Sequence, residues 1–147
     1  MNPLYDNKNV FAQILRGEAP CFKVYEDELT LAFMDIMPQL EGHTLVIPKE
    51  PAITVYDLSD EAALALMGTV RLVGPAVEKA MGVGGSTLFQ LNGAEAGQTV
   101  PHLHFHILPG SVFQARALKG HAAELADPAD LQRMAARIIE CLEPSSA

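Results

Sequence analysis

The stretch PHLHFHILPG, residues 101–110, sets His102, His104 and His106 at alternate positions and holds three of the chain's five histidines. Side chains alternate across a strand, so the three imidazoles share one face while Leu103, Phe105 and Ile107 share the other. Imidazole titrates near neutral pH, attacks without first losing a proton, and ligates transition metals. A row of three can therefore serve nucleophilic and acid–base chemistry or hold a metal. Histidines at alternate strand positions are common ligands, and His43 offers a further nitrogen. Against a metal, His102 and His106 stand about 13 Å apart along an extended chain, so the rings must lean hard to meet one ion at about 2.0 Å. The spacing suits a row better than a cage.

Just upstream, NGAEAGQT supplies neutral donors suited to an anion: Asn92, the backbone amides around Gly97 and Gln98, and the Thr99 hydroxyl. A net charge of −8 argues against holding duplex DNA by phosphate neutralisation, so any anion must be attracted locally. Cys21 and Cys141 form no Cys-x-x-Cys pair, which points to small hydrophobic side chains rather than a disulfide scaffold or zinc ribbon.

The elements that must position these groups read as one domain over residues 1–147, with a core at 9–110 and a helical extension at 111–143. NVFAQILRGEAP places Val10, Phe11, Ile14 and Leu15 at helical spacing. CFKVYED and LTLAFMDI read as a hairpin, HTLVIPK as a third strand, and STLFQLN and HLHFHIL as two more. Between them a long helix starts at Ser59, with an apolar stripe of Ala63, Met67, Val70, Gly74, Val77 and Met81 and a kink expected at Pro75. A last helix starts at Asp127 and Pro128, with Leu131, Met134, Ala135, Ile138 and Leu142 inward. The expected class is α+β: a five-stranded antiparallel sheet with a long helix, a short N-terminal helix and a C-terminal helix. The apolar runs are too short to span a bilayer and MNPLYDNKNV lacks a signal peptide's order, so a cytoplasmic protein bound to neither membrane nor nucleic acid is expected.

HLHFHIL, together with the helix, DI-P, GHTLVIPK and N----GQ, resembles the histidine triad (HIT) superfamily over residues 9–110, and is most similar to its Hint branch. The resemblance implies hydrolysis of purine nucleoside phosphoramidates and related nucleotidyl compounds at the α-phosphate, without a cofactor or catalytic metal, in a homodimer. It makes His104 the nucleophile that forms a nucleotidyl-histidine, His106 a donor to the phosphate, and His102 and His43 the groups that orient them. Asn92, Gly97, Gln98 and Thr99 would meet the phosphate and leaving group, Asp35 the ribose, and Val10, Phe11, Ile14, Phe33 and Ile36 the base. On residue type alone Val10, Phe11 and Ile14 read first as core and His121 as solvent-exposed, while Asp35 could equally be a turn cap before Pro38 and His43 a surface histidine.

Three departures stand out: Asn9 and Ala12 replace the zinc-binding cysteines of many bacterial relatives, Thr99 replaces a common serine, and the tail lacks tryptophan. Cleavage of dinucleoside polyphosphates, as by Fhit, is the rival enzymatic reading. Nucleotide binding with incidental hydrolysis is the non-enzymatic one. The cations that could favour a polyphosphate are Lys49 and Arg116, or Arg133 and Arg137 from the tail.

Overall fold

The computed structural model describes residues 2–114 and 124–142, so Arg116 and His121 lie outside the described residues. In chain order the elements are α1 (Val10–Leu15), β1 (Lys23–Glu26), β2 (Thr30–Met34), β3 (Thr44–Pro48), α2 (Asp60–Met81), β4 (Ser86–Gln90), β5 (Phe105–Pro109) and α3 (Pro128–Cys141). All strand pairs are antiparallel, in the order β1-β2-β3-β5-β4. The architecture is α+β. No helix among the described residues is long and apolar enough to cross a membrane.

Short polar side chains start each helix by accepting its first orphan amides. Asn9 Oδ1 accepts from Ala12 N–H, Ser59 Oγ from Ala62 N–H and Asp127 Oδ1 from Ala129 N–H. Asp60 and Glu61 add negative charge to the first turn of α2, and Gly82, at φ +67°, ends it. At the β1–β2 turn, Asp27 Oδ1 accepts from the amides of Leu29 and Thr30 and from the Thr30 hydroxyl. With its proton on Asp27, Thr30 accepts at 2.6 Å from Thr69, which satisfies a hydroxyl buried between β2 and α2.

The sheet is apolar on both faces. On one, Val24, Ala32, Met34, Val46 and Ile107 pack under α2 and α3, against Leu66, Val70, Val73, Val77, Leu131 and Ile138. On the other, Leu31, Phe33, Leu45 and Ile47 pack against Phe11 of α1. α2 is turned about one residue from the expected stripe. Ala62, Leu66, Val73 and Ala80 are buried beside Val70, Gly74 and Val77, while Met67 is 41% exposed. The helix carries two adjacent apolar ridges, and packing against both the sheet and α3 selects between them, which periodicity alone does not. α2 runs through Pro75 as one element, with Pro75 on its exposed side.

Two local features deliver the histidines. Gly42, at φ +89°, makes the turn into β3, and a Cβ there would lie 2.6 Å from Met81 Cγ and 3.2 Å from Pro109 Cγ. The glycine therefore both permits the turn and lets β3 begin at its packed position just after His43. The other feature corrects the expected strand: β5 begins at Phe105 rather than His102. The segment before it is pinned by other bonds, from Leu103 N–H to the Ala52 carbonyl and from the His104 ring to the His102 carbonyl. Alternation nevertheless survives, since Leu103 and Ile107 enter the helix-covered core and Phe105 packs against it.

Candidate active site

Placing β5 between β3 and β4 aligns one row of side chains across the sheet, in which Phe33 pairs with Leu45, Leu45 with His106 and His106 with Phe89. Phe89 stacks flat on His106, with centroids 4.1 Å apart and planes 10° apart. His104 lies 4.8 Å from His106 by ring centroid, and Phe11 of α1 meets His104 edge-on at 5.0 Å. His43, His102 and His106 are 0% exposed and His104 is 3% exposed.

Buried neutral imidazoles keep one proton each, and their neighbours decide where. His102 Nε2 lies 2.8 Å from the Pro48 carbonyl, which can only accept, so the proton is on Nε2 and Nδ1 accepts from the Tyr5 hydroxyl at 2.6 Å. Burial pushes the His102 ring below its usual value, only partly offset by the Pro48 carbonyl. Burial likewise raises the Tyr5 hydroxyl, keeping it a donor. His104 Nδ1 lies 2.7 Å from the His102 carbonyl, so it carries the proton and Nε2 keeps its lone pair. The Gln39 amide points at His43 Nδ1 at 3.0 Å, so the His43 proton is on Nε2 and is donated to His106 Nδ1 at 2.9 Å. The His106 proton is then on Nε2. This arrangement places a ring nitrogen that carries its lone pair beside a ring N–H donor.

A cavity of about 490 Å³ opens on the α1 side, lined by Val10, Phe11, Ile14, Phe33, Asp35, Ile36 and Thr99 among others. The alternatives left open by residue type are both realised here. Phe11 is 6% exposed within the core and also walls the cavity, whereas Val10 is 44% exposed at its rim. Asp35 caps a turn by accepting from Met37 N–H at 2.8 Å, yet it also lines the cavity and sets Oδ2 3.4 Å from His43 Nε2.

The loop before the triad is occupied differently. Gln98 donates both amide hydrogens, to the carbonyls of Ile53 and Val100, and accepts from Gly93 N–H. Asn92 Oδ1 accepts from Val55 N–H and from Gln90. The Gly97 and Gln98 amides donate to the carbonyls of Ala94 and Gly93. These groups brace the loop, and Thr99 is the member of the set that faces the cavity.

Asp35, His43 and His106 place ligand-type atoms within 4.8 Å of one another. His43 Nε2 and His106 Nδ1 are 2.9 Å apart, the distance of a shared proton. Two nitrogens on a tetrahedral zinc stand about 3.3 Å apart, so the cluster is set for hydrogen bonding rather than for an ion.

Comparison with known proteins decides the family, because residues 16–112 match the HIT domain model. The chain belongs to the HIT family. An adenosine 5'-monophosphoramidase of Schizosaccharomyces pombe is 44% identical over 100 residues, covering 68% of this chain and 72% of that one. An adenylylsulfatase of Arabidopsis thaliana is 34% identical over 140 residues, covering 92% and 68%. The crystal structure of a Hit-like protein from Bartonella henselae superposes with a TM-score of 0.82 at 41% identity, covering 94% and 99%.

Sequence reasoning missed several members of this HIT site. Tyr5 is 97 positions from His102, and no periodicity links them. Pro20, Cys21, Met34, Met37, Leu45 and Val100 complete the cavity lining. Burial pushes the Cys21 thiol up, so it serves there as an apolar wall.

Tyr5→Phe removes the donor to a buried ring nitrogen and is expected to destabilise the protein by about 1–3 kcal/mol in denaturant unfolding at pH 7.5. The wild type should itself lose stability as pH falls through about 6.5. There the unfolded chain takes up a proton that folded His102 resists, whereas above that range neither state carries it. An unfolding midpoint unchanged by the substitution would count against the Tyr5–His102 bond.

Proposed function

We propose that this HIT protein is a nucleotide hydrolase that cleaves purine nucleoside phosphoramidates and related nucleotidyl compounds at the α-phosphorus through a nucleotidyl-histidine. The observation that carries this reading is the His104–His102 carbonyl bond, which sets the ring proton on Nδ1 and so the lone pair on Nε2. The base would lie among Val10, Phe11, Ile14, Phe33 and Ile36, and the ribose against Asp35. His104 Nε2 attacks phosphorus, the P–N bond breaks, and the amine leaves with a proton relayed from solvent through the Thr99 hydroxyl. His106 Nε2–H donates to a phosphoryl oxygen as charge builds. Water then attacks the phosphorus, the bond to His104 breaks with its electron pair returning to Nε2, and the water's proton passes to solvent, releasing the nucleoside monophosphate and restoring the starting tautomer. The phosphoramidase name of the S. pombe relative supports the reaction class. The Arabidopsis relative makes adenylyl sulfate the second leaving-group class to assay.

His104→Ala should abolish turnover, with chelator present throughout, while nucleotide binding changes by less than about tenfold, or ~1.4 kcal/mol. His106→Ala should lose about a hundred- to thousandfold in kcat. A quench-trapped nucleotidyl adduct on His104 that is labile to acid and stable to alkali is the positive sign. Near-normal turnover by His104→Ala would refute the nucleophile, and binding without any adduct or turnover would favour a nucleotide-binding protein.

Leaving-group preference follows from charge. A departing amine takes a proton, whereas a polyphosphate carries several charges that must be neutralised. Lys49 is paired with Glu26 at 2.8 Å, Arg133 with Asp130, and Arg137 donates to the Ala80 carbonyl of α2, on the far side of the sheet from the triad. We expect kcat/KM for adenosine 5'-phosphoramidate to exceed that for diadenosine polyphosphates by at least roughly tenfold, about 1.4 kcal/mol. A reversed preference in a substrate panel would move the protein towards the dinucleotide hydrolases.

The reading includes a homodimer. Among the described residues β4 pairs with β5 alone and leaves an edge, and on the α2 side of the sheet Leu88 is 48%, Met67 41% and Leu64 77% exposed. Sedimentation should give about twice 15.8 kDa. A strict monomer at micromolar concentration would refute this.

A further inference from the structure

Asp35 belongs to two parts of the site at once. It lines the cavity, and its Oδ2 lies 3.4 Å from His43 Nε2, the nitrogen that donates at 2.9 Å to His106 Nδ1. The carboxylate is fixed relative to His43 by bonds that need no ligand. Its Oδ1 accepts from Met37 N–H at 2.8 Å, and the Asp35 amide donates to the His43 carbonyl at 2.9 Å. Asp35 is 3% exposed and both rings are 0% exposed, so water does little to screen the charge from them. The His43 proton therefore stands between a carboxylate and the ring next to the nucleophile.

We propose that Asp35 is a positioning residue for His106, acting through His43, in addition to any contact it makes with the sugar. The Gln39 amide sets the His43 proton on Nε2, and the negative charge beside it stabilises the proton there. That proton occupies the His106 Nδ1 lone pair and keeps the His106 proton on Nε2, where a phosphoryl oxygen would meet it. As charge builds on the phosphoryl group and His106 becomes polarised, the same carboxylate stabilises the positive charge drawn onto the paired rings. Sugar recognition and phosphate activation then converge on one carboxylate. The kinetic part rests on the hydrolase reading above; the tautomer part does not.

Two measurements test it. Wild type and Asp35→Asn are assayed on adenosine 5'-phosphoramidate and on its 2',3'-dideoxy counterpart, which offers Asp35 no sugar hydroxyl. kcat should fall at least roughly tenfold in the variant on both substrates, and Asp35→Glu, which keeps the charge, should recover part of it. Equal kcat for wild type and Asp35→Asn on the dideoxy substrate would overturn the proposal, because Asp35 would then serve the sugar alone. In substrate-free protein, ¹⁵N NMR of the ring nitrogens at pH 7.5 should find His43 and His106 both protonated on Nε2, with the His43 Nε2 and His106 Nδ1 shifts moving in Asp35→Asn as the bond between them weakens. A wild-type His106 protonated on Nδ1, or a variant spectrum identical to the wild type, would equally overturn it. The wild-type spectrum decides even if Asp35→Asn does not fold. If no nucleotide is turned over by the wild type, the hydrolase reading falls while the spectra still judge the role of Asp35.

Discussion

Four buried imidazoles share one small volume, and the chemistry open to them depends on which ring nitrogen carries the proton. Fixed backbone groups make that choice. The Pro48 carbonyl takes the His102 proton, the His102 carbonyl takes that of His104, and the Gln39 amide forces that of His43 onto Nε2. Carbonyls and amides do not titrate in the accessible range, which makes them more dependable selectors of a tautomer than ionisable side chains. The lone pair on His104 is thus a property of the fold, set before any ligand arrives.

The same backbone groups tie the site to distant parts of the chain. Pro48 ends β3, Gln39 lies in the turn that Gly42 closes, and Tyr5 reaches His102 from ahead of α1. The loop at 92–99 is braced through Gln98 against Ile53 and Val100, and through Asn92 against Val55. Polar residues close to a reacting centre can therefore be fully engaged in holding its walls. A buried carboxamide that has donated both hydrogens gains little by exchanging one of them for a phosphate oxygen.

Much of this was legible from residue types. The alternation of 102–107 assigned the two faces, Ser59 and Asp127 marked helix starts, and the ordered motifs pointed to a HIT protein. The onset of β5 was not legible, because a ring–carbonyl bond and the Leu103–Ala52 contact replace ladder bonds just where the sequence keeps a strand's period. Nor was the engagement of Gln98, which depends on a loop 45 residues away, or the reach of Tyr5. Local pattern reports which face a side chain takes. It does not report which hydrogen-bonding valences the rest of the fold has already filled.

The alternation in residues 102–107 serves two faces that demand opposite chemistry. Were β5 to pair one residue out of register, the His106 ring would be driven into the layer beneath α2 and α3, while Ile107 would turn towards the histidine face. Such a chain would lose its core and its reactive row together. Mispairing here cannot yield a well-folded but inert molecule, so correct assembly and competence are proofread by a single event.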